Sequence, residues 1–140
     1  MIRSHYHCVF DLNYHLVLVV KYRRKVISPE VGKRLEEISK SIAEKWSCEI
    51  KEFGFENDHI HILISGHPSM QMSIFINNLK TVSSRIIRKE FSSHLKTKLW
   101  GKNFWTRAYC LLSTGGANID TVKKYIEKQK GNSSPPKPVL

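Results

Sequence analysis

Residues 49–65 read EIKEFGFENDHIHILIS. Two alternating segments flank the turn-forming pair Asn57-Asp58, so the stretch predicts a β-hairpin with strands over 49–56 and 59–65. Successive strand side chains point to opposite faces. Ile60, Ile62 and Ile64 therefore face one way, and His59 and His61 the other. The isoleucine face needs a cover of apolar side chains. The histidine face stays open unless something covers it.

The flanking sequence supplies that cover. Residues 12–22, LNYHLVLVVKY, read as a strand. Ser28-Pro29 is a helix start, and Val31, Leu35, Ile38, Ile42 and Trp46 follow as an apolar stripe. A second helix fits 70–91, with Phe75, Leu79, Val82 and Ile86 on its buried side and Asn77, Lys80, Ser84 and Arg88 on a polar side. Residues 105–113, WTRAYCLLS, read as another strand. Gly115-Gly116 is a flexible break, and Asn118, Asp120 and Gly131 suit the cap, first turn and stop of a last helix. The order is β-α-β-β-α-β plus a C-terminal helix. That is an α+β, ferredoxin-like (RRM-like) split βαβ arrangement, an antiparallel sheet with two helices on one face. The expected domain is 1–131, with 132–140 (NSSPPKPVL) a flexible tail.

The 140 residues carry 23 Lys+Arg against 12 Asp+Glu, a net charge of +11. A surplus of this size points to a polyanionic partner, because basic groups release counterions from phosphates. No apolar run is long enough to span a bilayer, and the start MIRSHYHC has no secretory apolar core. The three scattered cysteines, Cys8, Cys48 and Cys110, suit reduced thiols, so the expected location is cytoplasmic with no membrane association.

His59 and His61 would stand roughly 6.6 Å apart along their strand. Two imidazoles at that separation can converge on one cation at about 2.1 Å each. They can equally be a solvated pair that binds nothing. In the last helix Val122, Tyr125, Ile126 and Gln129 share one face. Tyr125 and Gln129 lie one turn apart, about 6 Å along the axis. Taken alone, that face reads as core, with Tyr125 a core aromatic and Gln129 at the rim. His15 reads as a packed histidine, and His5-x-His7-Cys8 lacks a fourth partner for a zinc site. Trp100, Phe104 and Trp105 read as core.

The pairing of DHIHILI (58–64) with YIEKQ (125–129) resembles the single-tyrosine HUH transposases of small bacterial and archaeal insertion sequences, where HUH denotes His, hydrophobic, His. YHLVLVVKYRRKVIS (14–28), KTVSSRIIRKEF (80–91) and LWGKNFWTRAYCLLSTGG (99–116) resemble that family's segments in the same order. One departure is Cys110-Leu111-Leu112, where a more aromatic or valine-rich stretch is expected. The resemblance implies that His59, His61 and Gln129 hold a divalent metal, Mg²⁺ or Mn²⁺, and that Tyr125 is the nucleophile. It also implies single-stranded hairpin ends as substrate and a homodimer in which the tyrosine helix can pass to the partner, with Gly115-Gly116 as hinge.

Such chemistry suits these groups. A cation offsets the charge of a phosphodiester, and a phosphotyrosine conserves the ester bond for rejoining. Positive charge from the metal and from Lys123, Lys124 and Lys128 is expected to favour the phenolate. Lys21, Arg23 and Arg24, within KYRRK (21–25), and Lys80, Arg85 and Arg88 are the expected DNA contacts, with Lys102 and Arg107 as further candidates. Two rival readings remain at this point. One is a non-catalytic single-strand-binding module, expected to show aromatics on its open face. The other is a domesticated relative that processes chromosomal palindromic repeats.

Overall fold

The computed structural model describes residues 3–5, 8–96, 98, 103–113 and 124–128. Its elements run β1 (Arg3–His5), β2 (Cys8–Phe10), β3 (Leu12–Val19), α1 (Pro29–Lys45), β4 (Glu49–Phe55), β5 (His59–Gly66), α2 (Met72–Glu90), α3 (Ser92–Leu95) and β6 (Cys110–Ser113). From β3 to β6 this is the expected split βαβ order, with the short α3 added. β1 and β2 form a separate antiparallel hairpin that the sequence reading did not foresee. Residues 124–128 are helical. Gly115-Gly116, Gln129 and the tail 132–140 lie outside the described residues.

The main sheet has the order β4-β5-β3-β6, with every neighbouring pair antiparallel. β5 therefore lies between β3 and β4, which run in the same direction. The β4–β5 turn is closed by Glu56 N–H donating to His59 C=O at 2.9 Å. Ser28 caps α1 as expected: its Oγ accepts from Val31 N–H at 3.2 Å, and Pro29 opens the helix. Ile60, Ile62 and Ile64 pack with Leu16 and Leu18 of β3 beneath Leu35 and Ile38 of α1 and Phe75 and Leu79 of α2. α1 can lie close over β4 because Gly32 has no side chain. The ring of Phe55 occupies the space where a Cβ would stand.

Two strands are shorter than expected. β3 ends at Val19, and the chain turns through a short 3-10 segment, Lys21–Arg23. Val20 N–H still donates to Asp58 C=O and Lys21 N–H to Phe104 C=O, each at 2.9 Å, and the chain leaves the extended region at Tyr22 and Arg23, both with positive φ. The strand read over 105–113 is reduced to Cys110–Ser113 plus a single bridge, Val20↔Trp105. Three steps along the first strand, Val17 to Val20, oppose five along the second, Cys110 to Trp105. The extra residues bulge away from the sheet. Phe104 and Trp105 are buried, as core residues should be, and Trp105 Nε1–H donates to the buried Ser83 Oγ at 2.9 Å.

The two faces of β5 make a direct test. Ile62→Ala should cost about 3 kcal/mol of unfolding free energy in a denaturant titration. His61→Ala, on the other face, should cost less than about 1 kcal/mol. Equal losses would mean that the strand's faces are assigned wrongly.

Candidate active site

Cross-strand partners share a face of the sheet. His59 is paired with Val19 and His61 with both Val17 and Gly54. These side chains, with Cys110 and Leu112 of β6, form the face away from α1 and α2. His15, read as a packed histidine, also lies on this face, opposite Leu112. The two imidazoles stand with ring centroids 6.2 Å apart and planes tilted by 38°, close to the spacing expected from the strand repeat.

Each ring is held by a different device. His59 Nδ1 lies 2.8 Å from Asp58 Oδ1, and Asp58 Oδ2 accepts from Arg23 Nε–H at 2.9 Å. Burial alone would raise the Asp58 carboxyl. The hydrogen bonds from His59 and Arg23 override it and hold the group below its usual value. An ionised carboxylate only accepts, so Nδ1 of His59 carries the proton and Nε2 keeps the lone pair a cation needs. His61 lies against Gly54, where an added Cβ would stand 2.5 Å from Nε2. Burial, and then repulsion from any positive charge on His59, lower the His61 pKa, which favours the neutral, ligand-competent ring. These donors fit a divalent cation. Among the described residues no group of three His, Cys, Asp or Glu side chains is placed to hold a metal ion, so a third ligand would come from outside them or be of another kind. Gln129 would be such a ligand and lies outside the described residues.

Tyr125 and Ile126 pack on Val17, Val19 and Cys110. Tyr125 is therefore on the histidine face, the side on which the proposed chemistry needs it. Its electrostatics differ from expectation. Burial, and then the Cys110 thiol, push the phenol up to about 12. The Tyr125 hydroxyl is buried without a hydrogen-bond partner among the described residues. Lys124 and Lys128 do not offset this, since apolar neighbours dominate the surroundings. Lys123 lies outside the described residues.

The basic candidates divide. Lys21, Lys80, Arg85 and Arg88 line one groove of about 730 Å³ with Arg107, and among the described residues no acidic side chain lines it. Lys80 is half-buried in it. Its ammonium donates to Arg107 C=O at 2.8 Å, and burial followed by the Arg107 charge lowers its pKa. Arg23 is instead committed to Asp58, and Arg24 is not among the lining residues. Trp100 and Lys102 lie outside the described residues. The roles of Asp58 and Gly54 went unread in the sequence, although both left a signal. Asp58 directly precedes the histidines, and a glycine inside a strand marks a close approach.

The family model described as "Transposase IS200 like" matches residues 8–129. The ISDra2 transposase TnpA of Deinococcus radiodurans is 36% identical over 121 residues, covering 86% of each chain. The transposase for insertion sequence element IS200 of Salmonella typhimurium is 32% identical over 123 residues, 88% of this chain and 80% of that protein. A crystal structure of a proposed transposase from Deinococcus radiodurans R1 superposes with a TM-score of 0.82 at 31% identity, covering 91% of this chain and 97% of the other. A REP-associated tyrosine transposase bound to a REP hairpin matches at a TM-score of 0.57, covering 89% of this chain and 69% of that one. At 12% identity that likeness concerns the fold alone.

The placement of Tyr125 predicts its titration. In ultraviolet difference spectra, Tyr125→Phe should remove an ionisation at about pH 12. A group whose folded pKa is raised favours the folded chain while it stays protonated. This contribution is therefore complete below pH 10, the ordinary phenol value, and fades as pH rises through about 12. Loss of an ionisation near pH 10 instead would contradict the buried placement.

Proposed function

This chain belongs to the IS200-like transposase family, and we propose that it cuts and rejoins single-stranded DNA through a covalent bond to Tyr125. His59 and His61 would hold a divalent cation, Mg²⁺ or Mn²⁺, with Gln129 as third ligand. The observation that carries the reading is the shared face: two imidazoles 6.2 Å apart on the side of the sheet where Tyr125 packs. When bound, the cation would supply Lewis-acid charge to a phosphate oxygen.

The remaining roles belong to the chain. Neutral imidazoles leave the cation's charge undiminished for the phosphate. With its pKa at about 12, about one Tyr125 phenol in 10⁵ is ionised at pH 7. Loss of that proton is therefore the step the site must promote. The Tyr125 oxygen then bonds to phosphorus, the P–O3′ bond breaks, and the departing 3′ oxygen takes up a proton. The products are a 5′-phosphotyrosine and a free 3′-OH. Attack by another 3′-OH on the same phosphorus reverses the step and rejoins strands without ATP.

Lys21, Lys80, Arg85, Arg88 and Arg107 offer a basic groove for the DNA backbone. Hairpin recognition is proposed from the family resemblance together with that groove. One nucleophilic tyrosine per chain, Tyr125, would require two copies to cut both ends of an element, which is the basis for proposing a homodimer. A purely binding, RRM-like role is less well supported. The open face carries imidazoles and aliphatic side chains, and the aromatic ring packed on its apolar part is Tyr125 itself.

With Mn²⁺ and a hairpin-bearing single strand, the chain should form a protein–DNA adduct that survives denaturing detergent. Tyr125→Phe should abolish the adduct while retaining DNA binding, and a chelator should do the same to the unaltered chain. Cleavage by Tyr125→Phe would show that another group is the nucleophile. Separately, Arg85→Ala or Arg88→Ala should each lower the slope of log affinity against log salt by about one. An unchanged slope would place the backbone elsewhere.

A further inference from the structure

We infer that Arg23 and Asp58 are positioning residues that fix His59 in its Nδ1–H tautomer and aim its Nε2 at the space shared with His61. The inference rests on the metal site proposed above and concerns residues that do not touch the metal.

Three observations carry it. First, Asp58 is 5% exposed, and both of its oxygens are engaged, Oδ1 by His59 at 2.8 Å and Oδ2 by Arg23 at 2.9 Å. A buried carboxylate needs such partners to stay where it is, and this one faces one cation and one imidazole. Second, the backbone pins the same turn. Asp58 C=O accepts from Val20 N–H, and Asn57 C=O from Ile27 N–H, each at 2.9 Å. The turn is thereby fastened to the connector that carries Arg23. Third, that connector holds two successive non-glycine residues in the left-handed region, Tyr22 at φ 59° and Arg23 at φ 51°. Such a conformation persists where the surroundings demand it. It delivers the Arg23 side chain, 18% exposed, to Asp58 rather than to solvent.

The position of Arg23 also separates it from its basic neighbours. Lys21, two residues earlier, lines the basic groove, and Arg23 does not. A phosphate-binding residue would keep its guanidinium outward, whereas the Nε–H of Arg23 is spent on a buried carboxylate. Imidazole ligands are commonly oriented by a carboxylate on the other ring nitrogen. Here the carboxylate is itself oriented by Arg23.

Asp58→Asn provides a sharp test. With Arg23 still donating, the amide oxygen should turn toward Arg23 and the amide N–H₂ toward His59 Nδ1. The His59 proton must then move to Nε2, where it blocks the ligand lone pair. Long-range ¹H–¹⁵N spectra of the metal-free, DNA-free chain should show the Nδ1–H form of His59 in the unaltered protein and the Nε2–H form in Asp58→Asn. Arg23→Gln and Arg23→Lys should both give mixed forms. Mn²⁺ affinity, measured by calorimetry without DNA, should fall about 10-fold or more in each variant. Arg23→Gln should add little to Asp58→Asn, because Arg23 acts through Asp58. A His59 tautomer unchanged in Asp58→Asn would overturn the inference. So would Arg23→Lys and Arg23→Gln that keep full Mn²⁺ affinity and lose only DNA binding. If the unaltered chain binds no Mn²⁺, the metal reading fails by itself, and the spectra still decide whether Arg23 and Asp58 position His59.

Discussion

The whole arrangement depends on the two-residue repeat of β5. One strand must give its isoleucines to the core and its histidines to the opposite face, and no other register does both. Ile60, Ile62 and Ile64 are fully covered by the helices, so the strand cannot slip without exposing them. The burial that stabilises the domain therefore also fixes where the imidazoles stand. Its neighbours complete the site from the same sheet. Gly54 of β4 makes room for His61, and Val17 and Val19 of β3 form the floor on which Tyr125 packs.

Charge is distributed to match. The +11 surplus is not spread evenly: five basic side chains meet in a groove between α2 and the 103–107 segment. The histidine face mixes signs, with Glu56 and Glu52 acting on His61. There Asp58 and Arg23 compensate one another, and Tyr125 lies protonated against apolar side chains. A phenol kept neutral by burial is a poor nucleophile. In the proposed chemistry it becomes competent only when positive charge and a phosphate reach the same face.

Most of the fold was legible because its signals are local. Ser28-Pro29 marks a helix start, and the alternation in 59–65 marks a half-buried strand. The β-α-β-β-α-β order follows from reading these in sequence. Two features were hidden because they depend on partners distant in sequence. β3 gives way to a turn in which Tyr22 and Arg23 take positive φ and Arg23 reaches Asp58, and no window of the sequence announces that. The 105–113 segment is apolar enough for a strand, yet its bulge is set by where Trp105 finds Ser83. The site was legible to the same degree. His59 and His61 were visible by type and spacing, Tyr125 was marked by the family resemblance alone, and the structure gathers the three on one face. The diversion of Arg23 was not visible, since KYRRK reads as uniformly basic and only the left-handed turn at Tyr22-Arg23 separates its members. The raised Tyr125 pKa was missed for a related reason: counting lysines overlooks that Lys124 and Lys128 stay in water while the hydroxyl does not.

The central claim is that His59 and His61 act together on one cation. Electron spin echo spectroscopy of Mn²⁺ added to the intact chain tests it most directly, because it detects nitrogen nuclei bonded to the ion. The account predicts couplings from two imidazole nitrogens, reduced to one in either His59→Ala or His61→Ala. A spectrum without imidazole nitrogen, or one unaltered by both substitutions, would contradict it.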